Sequence, residues 1–289
     1  MGAMPTDDER VRKVGRRLRD LVEPIAANVY FCPEAQEQYR TLGIENYAAS
    51  YFCSRGGCMG QVPGEVVVAA FGVFNPALVI PAVDEGWSKT DARSIVEARR
   101  QGATAALERI LGGVPGDVKQ ATALLRRAGD AATGEGRPLY SGLRSLDWPG
   151  DPLGDLWRTA DLVREHRGDS HVAAWVSHGV DAVEINLLTE LWWRLPLNTY
   201  VRTRGWSEAG IDAALARLRD RGLVDGDAFT AEGEALRASI EAATDRGERR
   251  IVEALDHDAD ELFSLLQPWA TAIVESGGYP RDPSQLTRR

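Results

Sequence analysis

The chain has 289 residues, enough for one large domain or two ordinary domains with a substantial buried core. Hydrophobic residues make up 44% and charged residues 27%, which is typical of a folded globular protein and excludes intrinsic disorder. Acidic residues number 43 against 34 basic ones, giving a net charge of -9, and this excludes broad wrapping of nucleic acid by a basic surface, although a local basic patch is still allowed.

Cysteine usage indicates a reducing compartment, and the hydropathy pattern predicts no membrane segment. Three cysteines are too few for a disulfide framework, and no complete set of zinc ligands accompanies them: Cys32, Cys53 and Cys58. The uncharged run 66–83 is interrupted at Asn75-Pro76, where an asparagine cap followed by proline favours the start of a new helix. We therefore expect two short buried helices there, no membrane segment, and a soluble cytoplasmic protein.

Apolar residues recur at helical spacing along most of the chain. The first such segment is Val11 to Asn28, with arginines on its opposite face and a possible bend or end at Pro24. Further segments follow at 90–111, 118–128 and 153–163. Alternating strand-like runs are nearly absent. The sequence therefore predicts an all-α protein with one small β-hairpin.

A stretch rich in glycine and proline lies at 132–151, but its Leu139-Tyr140 pair favours burial. We interpret it as a long packed loop and expect the domain boundary nearer 179–182. The predicted organisation is a helical domain over 5–180 and a second domain over 181–289.

A short ordered series of elements begins after residue 184. An apolar helix at 187–195 precedes a second helix at 208–221, a hairpin at 222–230 and a long helix from Ala231. The phrase Leu-x-x-Arg-Gly-Leu-Val, followed by a hairpin and then Phe-Thr-x-x-Gly, resembles the winged helix of the MarR regulators. That resemblance implies that 208–221 is the recognition helix and that the hairpin is the wing.

Two further segments extend the resemblance to most of the chain. Together with Tyr30–Ala35 and Phe74–Pro76, the sequence resembles an actinobacterial family of two-part helical proteins carrying a degenerate MarR-like helix-turn-helix. The resemblance implies a helical N-terminal domain followed by a MarR-like winged-helix part, and it supplies no activity.

The predicted recognition surface carries acidic residues where DNA-binding proteins need basic ones. Glu208 and Asp212 lie on the exposed face of the helix, and Asp225-Gly226-Asp227 forms the wing tip. Carboxylates facing phosphate groups repel them. Nucleic acid is therefore a doubtful partner, and a MarR-like repressor is an alternative only if Arg202 and Arg204 reach the DNA backbone.

The densest polar cluster spans residues 164–178. Guanidinium groups bind carboxylate or phosphate bidentately, carboxylates orient histidines, and histidines act as acids, bases or ligands of a metal or haem. The alternative is a helix end at Gly168, where basic side chains would complement the helix dipole. The candidate ligand-binding residues are Arg164, Glu165, His166, Arg167, Asp169, His171, Trp175 and His178.

Tryptophans surround this cluster in the sequence: Trp157, Trp175, Trp192 and Trp193. We predict a pocket between the two halves, lined by tryptophan and floored by Arg164, Arg167 and His171, for a planar anionic ligand. The predicted function is a small-molecule-binding, regulator-like protein. Two alternatives to this function are the repressor and a haem- or metal-dependent enzyme of specialised metabolism that uses the Arg164–His171 cluster. Enzymatic activity is therefore left open.

The long C-terminal helices at 231–242 and 262–274 favour a homodimer, because MarR-like regulators use helices after the wing for dimerisation.

Overall fold

A computed structural model describes residues 7–287 of the chain. The α-helices, α1 to α14 in chain order, are Asp7–Ala27, Pro33–Thr41, Tyr47–Gly56, Gly64–Phe71, Pro76–Trp87, Ala92–Leu111, Val118–Ala131, Pro138–Arg144, Pro152–Ser177, Ala182–Trp192, Glu208–Asp220, Ala231–Gly247, Arg249–Leu255 and Ala259–Glu275. Within the described residues the one sheet is an antiparallel hairpin of β1 (Val224–Asp225) and β2 (Ala228–Phe229). The prediction of an all-α fold with a small hairpin is confirmed.

The interrupted uncharged run forms two separate helices, α4 and α5. Asn75 caps α5, since its side chain accepts a hydrogen bond from the backbone N–H of Ala77 at 2.9 Å, and Pro76 occupies the first helical position. None of the described helices combines the length and the apolar character needed to cross a bilayer.

Helix α9 is the central helix of the main core. Helices α1, α6, α7, α8 and α12 pack around it, so it is buried on nearly every side. Trp157 of α9 is 1% exposed and donates its indole N–H to the carbonyl of Ala26 at 3.1 Å. The same core receives residues from α13 and α14, including Ile251 and Ile273. We call this part of the molecule the helical body.

Two local predictions are wrong, one of a helix end and one of a loop. Helix α9 runs unbroken through Gly168, where a helix end was the alternative interpretation of the polar cluster. Gly168 faces the buried carboxylate of Glu165, since a Cβ at this position would lie 3.6 Å from Glu165 Oε2, an ordinary contact distance. The 132–151 stretch, expected to be a loop, contains helix α8, whose Tyr140 is fully buried.

A second, smaller core belongs to the winged segment, which we define as α10, α11, the hairpin and the first half of α12. Leu187, Ile211 and Ile240 are among its buried side chains. A Cβ at Gly233 would lie 1.9 Å from the carbonyl oxygen of Leu223, so the start of α12 contacts the chain before the hairpin only because residue 233 is glycine. This residue is the glycine of the Phe-Thr-x-x-Gly phrase.

A buried carboxylate holds the turn between α10 and α11. Glu190 is 0% exposed, and its two oxygens accept hydrogen bonds from the backbone N–H groups of Asn198, Thr199 and Val201 at 2.8 to 3.0 Å. These bonds satisfy the backbone where the chain leaves α10.

The two cores do not follow the order of the sequence. The second core draws on residues 174–240, whereas α13 and α14 return to the helical body and pack on α1, α6 and α7. The domain boundary at 180/181 stays a prediction. The C-terminal helices bury their apolar faces within the chain, so a homodimer also stays a prediction.

The winged segment is bonded to a short loop of the helical body. Asn75 donates its backbone and side-chain N–H groups to the carbonyls of Arg204-Gly205, each at 2.9 Å. The carbonyl of Val73 accepts from Asn186 Nδ2 at 2.9 Å and from Trp206 Nε1 at 3.0 Å. These bonds fix the winged segment on the helical body and enclose the site described next.

Candidate ligand-binding site

A cavity of about 280 Å³ lies between α1, α9, α10 and α12, where the helical body meets the winged segment. We call it cavity 1. Its charged and aromatic lining consists of Arg19, Glu23, Arg55, Arg164, Arg167, His171, Trp192, Trp193, Tyr200, Arg237, Glu241 and Glu248.

Two arginines of the wall are held by one buried glutamate. Arg55 donates to both oxygens of Glu165 at 2.8 and 2.7 Å, and Arg164 donates to the same carboxylate at 2.6 Å and to Glu23 at 3.0 Å. Although burial opposes ionisation, Arg55 and Arg164 lower the pKa of Glu165 to about 2. Glu165 is therefore ionised at neutral pH and fixes both guanidinium groups rather than acting as a general acid.

Two other arginines retain unused donors. Arg167 donates to Asp245 at 2.8 Å, and Arg237 donates to Glu241 at 2.5 Å. Within the described residues, Arg167 Nη1 and Arg237 Nε are buried and have no hydrogen-bond partner. Glu241 lies between the two guanidinium groups, with Arg167 Nη2 at 3.9 Å from its second oxygen. Buried donors of this kind are normally satisfied, so the site has hydrogen-bonding capacity that its own side chains do not use.

His171 is a neutral ring in this arginine-rich wall. Burial, reinforced by Arg237 and Arg167, lowers its pKa to about 4 against the opposing effect of Glu241. Its Nδ1 lies 3.0 Å from the hydroxyl of Thr244. At neutral pH the positive charge of the wall therefore comes from the guanidinium groups, and His171 offers an uncharged donor or acceptor.

The cluster predicted from the sequence is divided by the structure. Arg164, Arg167 and His171 line cavity 1 together, and Glu165 lies directly behind two of its arginines. His166 is buried away from the cavity lining, with its Nδ1 at 2.7 Å from Glu248 Oε1.

The other three candidates lie outside the lining of cavity 1. Asp169 accepts from the backbone N–H of Tyr140 at 3.0 Å, and burial raises its pKa to about 7. Trp175 packs in the second core. His178 is the C-cap of α9, where its Nδ1 lies 2.7 Å from the carbonyl of Ala174.

Several lining residues were not identified from the sequence, because they come from distant elements. Arg19, Arg55 and Arg237 belong to α1, α3 and α12. The Trp192-Trp193 pair was the one available signal. The guanidinium of Arg237 lies 5.2 Å from the Trp192 ring centroid, and Trp193, 38% exposed, packs edge-on against another aromatic ring of the wall.

The described residues contain no group of three or more histidine, cysteine, aspartate or glutamate side chains able to hold a metal ion. His171 and His178, seven residues apart on α9, form hydrogen bonds with Thr244 and Ser239, respectively. The donor set therefore does not fit a metal centre, and the haem- or metal-dependent enzyme stays a prediction from the sequence.

The surface expected to contact DNA is acidic, and its basic residues are paired. Glu208, Asp212, Asp225 and Asp227 are exposed. The arginines form ion pairs or hydrogen bonds with neighbouring groups: Arg217 with Asp181 and Glu184, Arg221 with Glu184, Arg202 with Glu208, and Arg219 with the carbonyl of Gly226. The winged segment therefore neutralises its own positive charge.

Comparison with known proteins identifies one family. A helix-turn-helix family matches residues 15–280, which include both cores and all of the lining of cavity 1. No curated protein and no solved structure matches the chain. The finer resemblance to MarR regulators and to an actinobacterial group stays a prediction. The chain belongs to this helix-turn-helix family.

Proposed function

We propose that the protein is a small-molecule-binding, regulator-like protein whose cavity 1 binds a planar anionic ligand. The observation that carries this proposal is a cluster of five arginines in the lining, held in place by carboxylates such as Glu165 and Asp245: Arg19, Arg55, Arg164, Arg167 and Arg237. Guanidinium groups bind carboxylates and phosphates through paired hydrogen bonds, so a cavity lined by a fixed cluster of them favours an anion.

The shape of the preferred ligand follows from the aromatic part of the wall. Trp192, Trp193 and Tyr200 line cavity 1 on the side of the winged segment. Indole and phenol rings pack well against other flat rings. Arg167 and Arg237 line the same cavity, and their positive charge favours an acidic substituent. Together these features favour an aromatic carboxylate.

DNA binding receives less support from the residues, although membership of a helix-turn-helix family makes it the natural comparison. Affinity for DNA requires basic side chains that displace counterions from phosphates. The exposed face of α11 instead presents Glu208 and Asp212, and the hairpin presents Asp225 and Asp227. We therefore place the function in cavity 1.

The test compares 2-naphthoate with its neutral amide by isothermal titration calorimetry. We expect the carboxylate to bind at least about tenfold more tightly than the amide, because only the carboxylate forms charge-assisted hydrogen bonds. Arg167→Gln should weaken carboxylate binding by about tenfold or more and leave the amide unchanged. Asp245 keeps Arg16 as a partner at 2.8 Å in this variant, which limits any effect on folding.

Arg126→Gln is the matched control, since Arg126 lies on the exposed surface of α7 beside Trp148 and outside cavity 1. It should bind both compounds like the unmodified protein. Equal binding of the acid and the amide, or no binding of either, would refute the proposal. Salt-sensitive binding of a random-sequence DNA duplex that Arg202→Gln abolishes would favour the repressor instead.

A further inference from the structure

A second and larger cavity adjoins cavity 1. It encloses about 770 Å³ between α1, α3, the short helix at 201–204 and the C-terminal segment 279–286. We call it cavity 2. The two cavities meet at a wall made of five lining residues that they share: Arg19, Glu23, Arg164, Trp193 and Tyr200.

Nine of the 24 residues that line cavity 2 are aromatic. Tyr51, Phe52 and Phe74 pack against one another, with ring centroids 5.0 to 5.7 Å apart. Tyr200 and Tyr279 line the opposite side. The volume lies within the range of about 300 to 1,000 Å³ that accommodates drug-sized ligands. The cavity therefore has the size and the surface for several fused rings.

One guanidinium group in this wall is positioned against the rings. The guanidinium carbon of Arg204 lies 4.1 Å from the ring centroid of Tyr200 and 4.8 Å from that of Phe74. Its Nε is buried and has no partner in the described part of the chain. Arg204 thus combines a flat cationic face with an unused donor.

The charge of cavity 2 decides between two ligand classes that bind aromatic walls. Aromatic cages also bind quaternary ammonium groups, and nearby arginines would repel such a cation. Cavity 2 has four arginines against two carboxylates: Arg19, Arg164, Arg204 and Arg281 against Asp20 and Glu23. A cationic ligand would be repelled, whereas an aromatic acid meets both the rings and the guanidinium groups.

We propose that cavities 1 and 2 form one extended binding site for a polycyclic aromatic carboxylic acid. The carboxylate and the first rings occupy cavity 1 beside Arg167 and Arg237, and the remaining ring extends past the shared wall at Arg164 into cavity 2. This inference rests on the proposed function and deepens it, because the volume of cavity 1 alone lies just below the range of sites for drug-sized ligands, whereas that of cavity 2 lies within it.

The test uses two carboxylates of different length, 2-naphthoate and anthraquinone-2-carboxylate, titrated into the full-length protein by calorimetry. We expect the three-ring acid to bind at least about tenfold more tightly, because its additional ring buries apolar surface in cavity 2. Ala48→Trp places an indole in the wall of cavity 2 and should remove this gain. It should leave 2-naphthoate binding within about twofold of the unmodified protein.

Ala209→Trp is the matched control, since Ala209 is exposed on α11 and lines neither cavity. If Ala48→Trp does not fold, as judged by circular dichroism, Thr203→Trp fills the same cavity from the opposite side. Binding of the three-ring acid that is no tighter than that of 2-naphthoate, or is insensitive to both fillings, overturns this inference alone. Failure of both acids to bind overturns it together with the proposed function.

Discussion

At the scale of single residues, several buried charged side chains of α9 pair with partners that lie far away in the sequence. Asp161 accepts two hydrogen bonds from Arg99 at 2.6 and 3.1 Å, with both residues at most 3% exposed. Glu165 pairs with Arg55, and Arg167 pairs with Asp245. A buried charge without a partner is strongly destabilising, so these pairs allow a charged helix to occupy the centre of the molecule.

Asp169 makes the stability of the protein depend on pH. Burial, reinforced by the nearby charge of Glu165, raises its pKa to about 7, against about 3.9 in an unfolded chain. The folded state thus favours the protonated form, and the resulting stabilisation is complete below about pH 4 and is lost as the pH rises through about 7. We expect the free energy of unfolding to fall between about pH 4 and pH 7 and to level off above that.

Asp169→Asn should remove this dependence and be the more stable protein at about pH 8, by on the order of 1 to 3 kcal/mol. The amide oxygen can still accept from the backbone N–H of Tyr140. Urea unfolding across the pH range measures the effect, with Asp130→Asn on the exposed surface of α7 as the control that should follow the unmodified protein. Parallel curves for Asp169→Asn and the unmodified protein would contradict this prediction.

At the scale of helices, small residues determine how closely two elements approach. A Cβ on Gly102 of α6 would lie 2.3 Å from the Cα of Ala35, so α2 and α6 are in contact through their backbones. Helical spacing predicted α6 but not α2, and it contained no information about this contact. The glycine is disfavoured within a helix and is kept for its packing.

Gly102→Ala should therefore destabilise the protein by about 1 to 3 kcal/mol, although alanine is the better helix former. Gly116→Ala is the matched control, because no atom lies within 4 Å of its added Cβ and its backbone φ is not positive. The control should change the free energy of unfolding by no more than about 0.5 kcal/mol. Thermal and urea unfolding of both variants test this, and equal stabilities would show that the helices separate at low cost.

At the scale of the whole molecule, the carbonyl of Val73 is one of the points that attach the winged segment to the helical body, since it accepts hydrogen bonds from Asn186 and Trp206. Trp206→Phe removes one of the two hydrogen bonds to this carbonyl while keeping an aromatic ring. We expect faster amide hydrogen exchange in residues 182–240 and unchanged exchange in α6 and α7, because local opening frees the less firmly attached unit first.

Trp87→Phe provides the comparison, since Trp87 Nε1 donates to Val62 at 2.9 Å within the helical body. This variant loses a similar bond and should leave exchange in the winged segment unchanged. A uniform increase across the chain with Trp206→Phe would indicate that the helical body and the winged segment open as one cooperative unit.

The sequence predicted more of the fold than of the candidate site. The helices, the cap at Asn75, the hairpin and the helix-turn-helix character follow from patterns among neighbouring residues, and the structure and the family match agree with them. The helix end expected at Gly168 is wrong because glycine and basic residues resemble a C-terminal cap locally, while the buried pairing of Glu165 with Arg55 favours an unbroken helix.

The sequence by itself determined the all-α class, the acidic face of the winged segment and the presence of arginines and histidines in one stretch of α9. Only the tertiary structure decided that Arg164, Arg167 and His171 share a wall, while arginines from α1, α3 and α12 complete it. It also decided that His171 is neutral at pH 7. Periodicity, capping and charge are encoded by nearby residues, whereas burial, ion pairing and cavities depend on contacts between segments more than a hundred residues apart, such as Arg55 and Glu165.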